Sequence, residues 1–378
     1  MAYNTLGGDA MEKKTFKLEE VCLEITQKCL LNCVHCSGEC TLNSRTELSL
    51  HLIKRIIDEL SILGCRILEI SGGEPLLHRN LFDIIRYARE NGIEPILYTS
   101  GNMLNTNESI AALDITVAKK LREAGLKKII FNLQGYRKAT HESITRVKGS
   151  FRNVIKAIKT TKLLDFWVGI HFVPMKPNYA ELERLLVLCH DLGVNEVGIL
   201  RFVPQGRGKI NRSLLELSPE QFKELNEKIL ELTIGHRNPN LRVGRPIDFR
   251  SLLDQSVMKP FCDAGISKCS ISPNGKVIPC PGFKQSNQFI AGNIKKCSLT
   301  KIWNESPVFK KLRKFSYTQV REPCRSCKYL HVCRGGCIAQ KALEYKSDIY
   351  SAPDPSCFID SVKNAVKCAA SSKLQEVL

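Results

Sequence analysis

The sequence has the length and composition of a globular protein with room for one large domain and a smaller one. Its 378 residues are 43% hydrophobic and 25% charged, which excludes a disordered chain. The 56 Lys and Arg residues exceed the 38 Asp and Glu residues and give a net charge of +18. Such a surface attracts anionic partners, but no basic segment is interleaved with aromatic residues, so we predict no dedicated nucleic-acid groove.

The cysteine content is high, at 17 residues, and the spacing is too uneven for the disulfide scaffold of a short secreted protein. No run of about 18 apolar residues occurs, and the amino terminus lacks the apolar centre of a signal peptide. The sequence therefore predicts a cytoplasmic protein without a membrane partner, whose thiols are available for metal.

Taken in chain order, residues 1–18 are predicted to form a flexible lead-in, and alternating strand and helix patterns begin at residue 21. Strands are predicted over residues 21–25, 66–70, 96–99, 128–133, 167–173 and 196–202. Helices are predicted over residues 49–63, 79–91, 116–124, 150–164, 179–192 and 219–232. Six strands fall short of the eight of a closed barrel. The expected fold is therefore α/β, a partial (β/α)6 TIM-like barrel with its chemistry at the carboxyl ends of the strands.

The pattern changes beyond residue 255, where cysteines become dense and helical periodicity weakens. Metal binding orders such a segment as much as a hydrophobic core does. We therefore predict a barrel over residues 19–215, a helical linker over 216–254, a small Cys-rich domain over 255–360 and a carboxyl-terminal helix or tail over 361–378.

The strongest local signal follows the first predicted strand, where Cys29, Cys33 and Cys36 have C-x3-C-x2-C spacing. Three thiolates in one loop can hold a cubane iron–sulfur cluster and leave one iron open to bind and reduce a small molecule. A zinc site is the alternative, but zinc favours C-x2-C pairs and four closed ligands. Cys40 could be a fourth ligand, although a free thiol is the preferred interpretation.

A second motif, Gly72-Gly73-Glu74-Pro75, lies at the end of the second predicted strand. Together with the cysteine triad it resembles the radical S-adenosylmethionine (SAM) superfamily. The resemblance implies that the triad holds a 4Fe–4S cluster, that the open iron chelates SAM, and that reductive cleavage of SAM gives a 5′-deoxyadenosyl radical. It also implies that the four motif residues contact the cofactor, where glycines allow a close approach. His35, in the place of the usual aromatic residue, would cover the adenine.

Polar residues at the ends of later strands are further candidates. By the same resemblance, Thr99, Ser100 and Asn132 are expected to contact the cofactor. Gln134 occupies a position where many members of the superfamily have an acid, so a general-base role is not expected there. Gln134, His171 and Arg201 are candidates for contact with substrate or cofactor in catalysis. The alternative is that these side chains cap strand ends or form hydrogen bonds in the core.

The tail resembles the SPASM extension of radical SAM enzymes, which typically carries two auxiliary 4Fe–4S clusters. The resemblance assigns the first cluster to Cys262, Cys269, Cys280 and Cys337, and the second to Cys324, Cys327, Cys333 and Cys357. Cys297 could replace Cys269, or the first cluster could keep an open iron for substrate. Two zinc sites are the alternative. The amino-terminal triad favours iron, because a chain of clusters can remove the electron left by a radical oxidation.

This resemblance implies an enzyme that oxidatively modifies a ribosomally synthesised peptide or protein, by a thioether or carbon–carbon crosslink or by side-chain oxidation. The expected partners are a precursor peptide and an electron donor such as a flavodoxin or ferredoxin. The predicted lead-in is too short for a leader-binding domain, so a separate leader-binding protein is a further candidate partner. One alternative is the same chemistry on a small molecule, as in alcohol dehydrogenation or the maturation of a tetrapyrrole or quinone cofactor. The other is a non-enzymatic metal-ribbon protein that binds nucleic acid.

Overall fold

The structure is a computed structural model that describes residues 16–235, 239–244, 262–315, 319–345 and 349–357. Most of the predicted lead-in, residues 236–238 and 245–261 around the end of the predicted linker, and the predicted tail lie outside the described residues. Within the described ranges, no helix combines the length and the apolar character needed to cross a membrane.

Strands form the centre of the molecule. They are β1 (Glu20–Thr26), β2 (Ile67–Gly72), β3 (Glu94–Thr99), β4 (Asn102–Leu104), β5 (Ile110–Ala112), β6 (Lys128–Asn132), β7 (Trp167–Phe172), β8 (Glu196–Ile199), β9 (Asn240–Val243), β10 (Lys268–Ile271), β11 (Lys276–Ile278) and β12 (Gly292–Asn293). The main sheet has the order β12-β11-β10-β1-β2-β3-β6-β7-β8-β9, while β4 and β5 form a separate hairpin. The run from β10 through β1 to β9 is parallel, and β11 and β12 are added in antiparallel fashion.

Helices connect the parallel strands from β1 to β9, and others follow β12. They are α1 (Leu50–Ile62), α2 (Leu81–Glu90), α3 (Ile115–Glu123), α4 (Lys138–Thr145), α5 (Ser150–Lys162), α6 (Leu182–Asp191), α7 (Arg207–Ile210), α8 (Arg212–Leu215), α9 (Pro219–Gly235), α10 (Leu299–Glu305), α11 (Pro307–Lys314), α12 (Leu330–Cys333) and α13 (Ile338–Glu344). The predicted α/β class with a partial barrel is confirmed, because six predicted strands and their helices recur in this order.

Alternation along the strands explains how the sheet is covered. Val21, Leu23 and Ile25 of β1 are fully buried in one core with the apolar stripes of the helices. Burial of an aliphatic side chain of this size stabilises the fold by about 1.5–3 kcal/mol. Cys22 and Glu24 alternate with them and therefore lie on the opposite face, in the interior of the partial barrel.

The Cys-rich region is joined to the barrel through the sheet. In β10, Lys268 lies opposite Glu20 and Cys269 opposite Val21, so β10 extends the barrel sheet beyond β1. The predicted linker also packs on the barrel, since Leu225, Ile229 and Leu232 belong to the main core. The sequence pattern does not predict β9 to β12, because strands of two to four residues are too short for a periodic signal and depend on their pairing partners.

Candidate active site and cysteine clusters

The loop after β1 brings three predicted cluster ligands together. The Cys29 and Cys33 thiols interact electrostatically with each other and with Cys36. Backbone hydrogen bonds dock the loop on α4, since the Asn32 N–H donates to the Thr145 carbonyl at 3.0 Å. Burial raises the pKa of Cys29 to about 12. The metal-free thiol is therefore protonated at neutral pH and must release its proton to bind metal.

The fourth cysteine of this loop, Cys40, lies against the third member of the triad. A hydrogen bond between the Cys40 and Cys36 thiols lowers the pKa of Cys36 to about 5 and favours its thiolate. Hydrogen bonds to a ligating sulfur also influence the reduction potential of a cluster. Cys40 is a buried free thiol, and its hydrogen bond to Cys36 makes it a neighbour of the triad.

Arg207, the first residue of α7, contacts the cysteine loop from the segment that follows β8. Its Nε donates to the Cys33 carbonyl at 2.9 Å, and both terminal nitrogens donate to the Cys40 carbonyl at 3.1 Å. The backbone N–H of Arg207 donates to the Cys36 carbonyl at 3.0 Å. Gly206 has a φ of +53°, and a Cβ there would lie 2.6 Å from the same Cys36 oxygen. The Gly-Arg pair therefore fixes the backbone of the triad.

The Gly-Gly-Glu-Pro motif lies directly against the chain that leads into the triad. The Gly73 N–H donates to the Thr26 carbonyl and the Glu74 N–H to the Lys28 carbonyl, both at 2.7 Å. A Cβ on Gly73 would lie 2.0 Å from the Lys28 oxygen, and one on Gly72 would lie 2.4 Å from the Thr26 oxygen. Both glycines are thus required for the contact between two backbones, whatever ligand they also meet.

Glu74 is fully buried and lies at the centre of a hydrogen-bond network. Its carboxylate accepts from the Thr99 hydroxyl at 2.6 Å, from the Ser100 N–H at 2.8 Å and from the Leu76 N–H at 3.1 Å. Burial nevertheless outweighs these donors and raises the pKa of Glu74. The side chain also interacts electrostatically with Cys29. Glu74, Thr99 and Ser100 are therefore brought together beside the triad, and Pro75 begins the short turn Pro75–Leu77.

Two histidines, the half-buried His35 within the cysteine loop and the buried His141 beside it, each have one buried nitrogen without a partner among the described residues, Nδ1 of His35 and Nε2 of His141. The other ring nitrogen of His141 accepts from the Gln134 N–H at 3.1 Å. Burial lowers the pKa of each imidazole to about 4, so both are neutral at physiological pH. Buried polar atoms are rarely left unpaired in proteins. A loop with three thiols and an adjacent unpaired nitrogen fits an iron–sulfur cluster with a polar cofactor.

The catalytic candidates Gln134 and His171 are engaged by their neighbours. The Gln134 amide donates to the Asn132 side chain at 2.6 Å and accepts from the Val173 N–H at 3.1 Å, which ties the ends of β6 and β7. The His171 ring pairs with the Arg242 guanidinium at 2.8 Å. Burial, and then the charge of Arg242, lower the pKa of His171 to about 3. The contacts of Asn132, Gln134 and His171 fit a positioning role at the barrel interior.

A second group of cysteines contains Cys262, Cys280 and Cys337. These three line one small apolar cavity with Phe283 and Leu312, and the Cys280 thiol interacts electrostatically with the other two. Cys269 is not part of this group, because it lies in β10 with its side chain in the main core, where its electrostatic neighbours are Cys65 and Arg313. Cys297 packs against the same main core. The structure therefore brings together three of the four residues predicted for the first auxiliary cluster.

A third group contains all four residues predicted for the second auxiliary cluster. The Cys324 thiol interacts electrostatically with Cys357 and Cys327, and the Cys333 thiol with Cys357 and Cys324. The Tyr329 N–H donates to the Cys327 sulfur at 3.4 Å. The structure describes sixteen of the cysteines. Within this part of the chain no three His, Cys, Asp or Glu side chains form a group that would hold a single metal ion.

Arg201, the last of the catalytic candidates, forms a bidentate ion pair with Asp354, and the two side chains are only 11% and 2% exposed. A second long-range ion pair joins Lys284 to Glu24 of β1, and the same ammonium donates to Ser37 in the cysteine loop at 3.2 Å. Sequence reasoning missed Arg207, Asp354 and Lys284. The Gly206-Arg207-Gly208 run was the available signal for Arg207, whereas the other two carry no local motif.

The family comparisons agree with this geometry. The radical SAM superfamily model matches residues 23–189, and the SPASM model, an iron–sulfur cluster-binding domain, matches residues 262–328. The chain therefore belongs to the radical SAM superfamily, and it is an enzyme. Within that superfamily it is a SPASM-containing member, which implies SAM and iron–sulfur clusters as cofactors.

Individual relatives cover nearly the whole chain. An AdoMet-dependent heme synthase of Methanosarcina barkeri is 29% identical over 88% of this chain and 94% of its own length. A PqqA peptide cyclase of Granulibacter bethesdensis is 27% identical over 93% of this chain and 90% of its own. Among solved structures, Streptococcus suis SuiB bound to the precursor peptide SuiA matches with a TM-score of 0.71 and 20% identity, over 90% of this chain and 76% of SuiB. This last likeness is one of fold.

Proposed function

We propose that the protein is a cytoplasmic enzyme that reductively cleaves SAM and uses the resulting 5′-deoxyadenosyl radical to modify a ribosomally synthesised peptide or protein oxidatively. The observation that carries the proposal is the assembly of the predicted ligands into three separate cysteine groups. The first group, Cys29, Cys33 and Cys36, would hold the cluster with an open iron for SAM, with Glu74 and the His35 nitrogen beside it.

The other two groups would hold the auxiliary clusters. Cys324, Cys327, Cys333 and Cys357 provide four thiolates for one cluster. Cys262, Cys280 and Cys337 provide three for the other, and the position of Cys269 in the main core supports a site with one iron free of cysteine. Auxiliary clusters of this kind would accept the electron released when a substrate radical is oxidised, with a flavodoxin or ferredoxin as the external donor.

A peptide substrate is supported by the PqqA peptide cyclase, which aligns with 93% of this chain. A cavity of about 280 Å³ at the ends of β8 and β9 also favours it, because its walls include Phe202, Phe222, Leu225 and Ile229 and extend to Cys357 of the third cysteine group. Apolar walls with a few polar groups suit a side chain that enters from a longer molecule. A separate leader-binding protein would assist recognition.

The second candidate is the same radical chemistry on a small molecule. The heme synthase of M. barkeri favours it, since the alignment covers 94% of that relative at 29% identity. A tetrapyrrole with carboxylate side chains would also suit a chain with a net charge of +18.

The test uses the anaerobically reconstituted protein with SAM and a strong reductant. Three clusters correspond to about twelve irons and an equal amount of acid-labile sulfide per chain. We then expect 5′-deoxyadenosine formation to increase when a short peptide encoded beside the gene is added, and the peptide to lose two hydrogen atoms per crosslink in the mass spectrum. Stimulation by a carboxylated tetrapyrrole and not by the peptide would favour the second candidate. Zinc without sulfide would contradict both.

A further inference from the structure

One buried aspartate makes hydrogen bonds to ligand residues of both proposed auxiliary clusters. The Asp354 carboxylate accepts from the Cys337 N–H at 2.7 Å, and Cys337 belongs to the group with three cysteines. The backbone carbonyl of Asp354 accepts from the Cys357 N–H at 3.0 Å, and Cys357 belongs to the group with four cysteines. The other carboxylate oxygen accepts from the Ser356 N–H at 2.9 Å, which shapes the turn that presents Cys357. The two sites therefore share one residue.

The barrel supplies the counter-charge for this aspartate. Arg201, just beyond β8, donates to Asp354 through both terminal nitrogens, one of them at 2.8 Å. Its guanidinium also interacts electrostatically with Cys337 and Cys333, one cysteine from each group. A bidentate Arg–carboxylate pair has fixed geometry, and its charges are poorly screened where solvent is excluded. The pair thus places one positive and one negative charge between two sites.

The segments on either side of the aspartate are closely packed. Gly336 has a φ of +84°, and a Cβ there would lie 2.3 Å from the Asp354 Cβ. The buried Lys341 ammonium donates to the Ala352 carbonyl at 3.0 Å and thereby holds the segment that leads to Asp354. Gln340, its neighbour in α13, donates to the Phe202 carbonyl next to Arg201 at 2.9 Å. The aspartate, the arginine and both cysteine groups are therefore held as one unit.

We propose that Asp354, held by Arg201, is the positioning residue that couples the two auxiliary clusters to each other and to the barrel, and that this buried charge pair sets their reduction potentials. The inference rests on the proposed function, because it requires both clusters. Reduction adds negative charge to a cluster, so a nearby carboxylate disfavours it and a nearby guanidinium favours it. The two members of the pair act in opposite directions on the same two clusters.

The experiment compares Asp354→Asn and Arg201→Gln by redox titration followed by electron paramagnetic resonance, with iron and sulfide measured on each sample. Asp354→Asn should shift the potentials of both auxiliary clusters to more positive values, and Arg201→Gln should shift both to more negative values. Arg201→Lys keeps the charge and should leave the potentials close to those of the wild type. In all three variants the SAM-binding cluster should keep its potential.

Glu181→Gln is the matched control, since Glu181 is also a buried carboxylate paired with an arginine, Arg137, but bonds to no cysteine among its described contacts. Equal potentials in all variants with full iron content, or shifts of the same sign in Asp354→Asn and Arg201→Gln, would overturn the inference. If Asp354→Asn cannot retain iron, joint loss of both auxiliary clusters supports the coupling and loss of one alone contradicts it. If the wild-type protein binds no auxiliary iron, the proposed function is contradicted at its clusters. That outcome is distinct from a wild type that holds both clusters but shows no coupling through Asp354.

Discussion

The triad loop and the Cys-rich region hold their cysteines in different ways. Cys29, Cys33 and Cys36 lie within one loop, and the rest of the barrel supports that loop through backbone contacts such as those of Arg207 and Gly73. The two auxiliary groups draw cysteines from residues 262 to 357, and side-chain charges such as those of Asp354 and Arg201 connect them. Chain-local geometry therefore defines the proposed SAM-binding site, whereas long-range contacts define the proposed auxiliary sites.

The sharpest way to separate the two regions is to remove the triad. In Cys29→Ala/Cys33→Ala/Cys36→Ala we expect no detectable 5′-deoxyadenosine and a fall from about twelve to about eight irons per chain, because the auxiliary sites use other thiolates. Chromatography of the reaction mixture and iron analysis measure both quantities. Cys189→Ala, a change at a buried core cysteine of α6, should keep all the iron. Persistent 5′-deoxyadenosine in the triple variant would refute the assignment of the site.

The next largest effect distinguishes the cysteines of the Cys-rich region from one another. Cys262→Ala should lose about four irons, because Cys262 lines the cavity shared with Cys280 and Cys337. Cys269→Ala should keep its iron and lose only about 1 kcal/mol of unfolding free energy, since its side chain packs in the main core. Iron analysis and urea denaturation provide the comparison. Iron loss from Cys269→Ala would make Cys269 a ligand and remove the open position.

A single added methyl group should break a backbone contact beside the cysteine triad. Gly73→Ala places a Cβ 2.0 Å from the Lys28 carbonyl, so the backbone contact must break, at a cost of about 3 kcal/mol in unfolding free energy. Gly92→Ala is the control, because its Cβ meets nothing within 4 Å and only its φ of +75° is unfavourable, which costs about 1 kcal/mol. Equal denaturation midpoints for the two variants would show that the contact is unimportant.

The smallest expected effect concerns the arginine that supports the triad loop. Arg207→Lys keeps the charge but loses the planar guanidinium whose nitrogens donate to the Cys33 and Cys40 carbonyls. We expect the loss to cost about 2 kcal/mol in unfolding free energy. We expect a chelator to remove iron faster from the SAM-binding cluster and at an unchanged rate from the auxiliary clusters. The exposed Arg152, changed to Lys, is the control. Faster loss from every cluster would mean that Arg207 supports the whole fold and not the loop.

Part of this molecule follows from local sequence. The period of the apolar residues predicts the parallel βα units, because a buried strand or helix face needs apolar side chains at regular spacing. The C-x3-C-x2-C loop predicts a cluster site, since neighbouring thiolates meet around one cluster with little help from distant residues. Together with Gly72-Gly73-Glu74-Pro75 it resembles the radical SAM superfamily, which implies the proposed SAM-binding end.

Tertiary structure decides the rest. The sequence alone does not show that Cys262 belongs to a cysteine group and Cys269 does not. Only the pairing of β10 with β1 turns the Cys269 side chain into the core. Nor does the sequence connect Arg201 with Asp354, which lie 153 positions apart and have no motif. Burial strengthens the influence of this charge pair on the neighbouring cysteine groups, since charges removed from solvent act with little screening. Spacing along the chain thus determined the cysteine triad of the proposed radical-generating site, and packing between distant segments determined how the proposed auxiliary sites are joined to it.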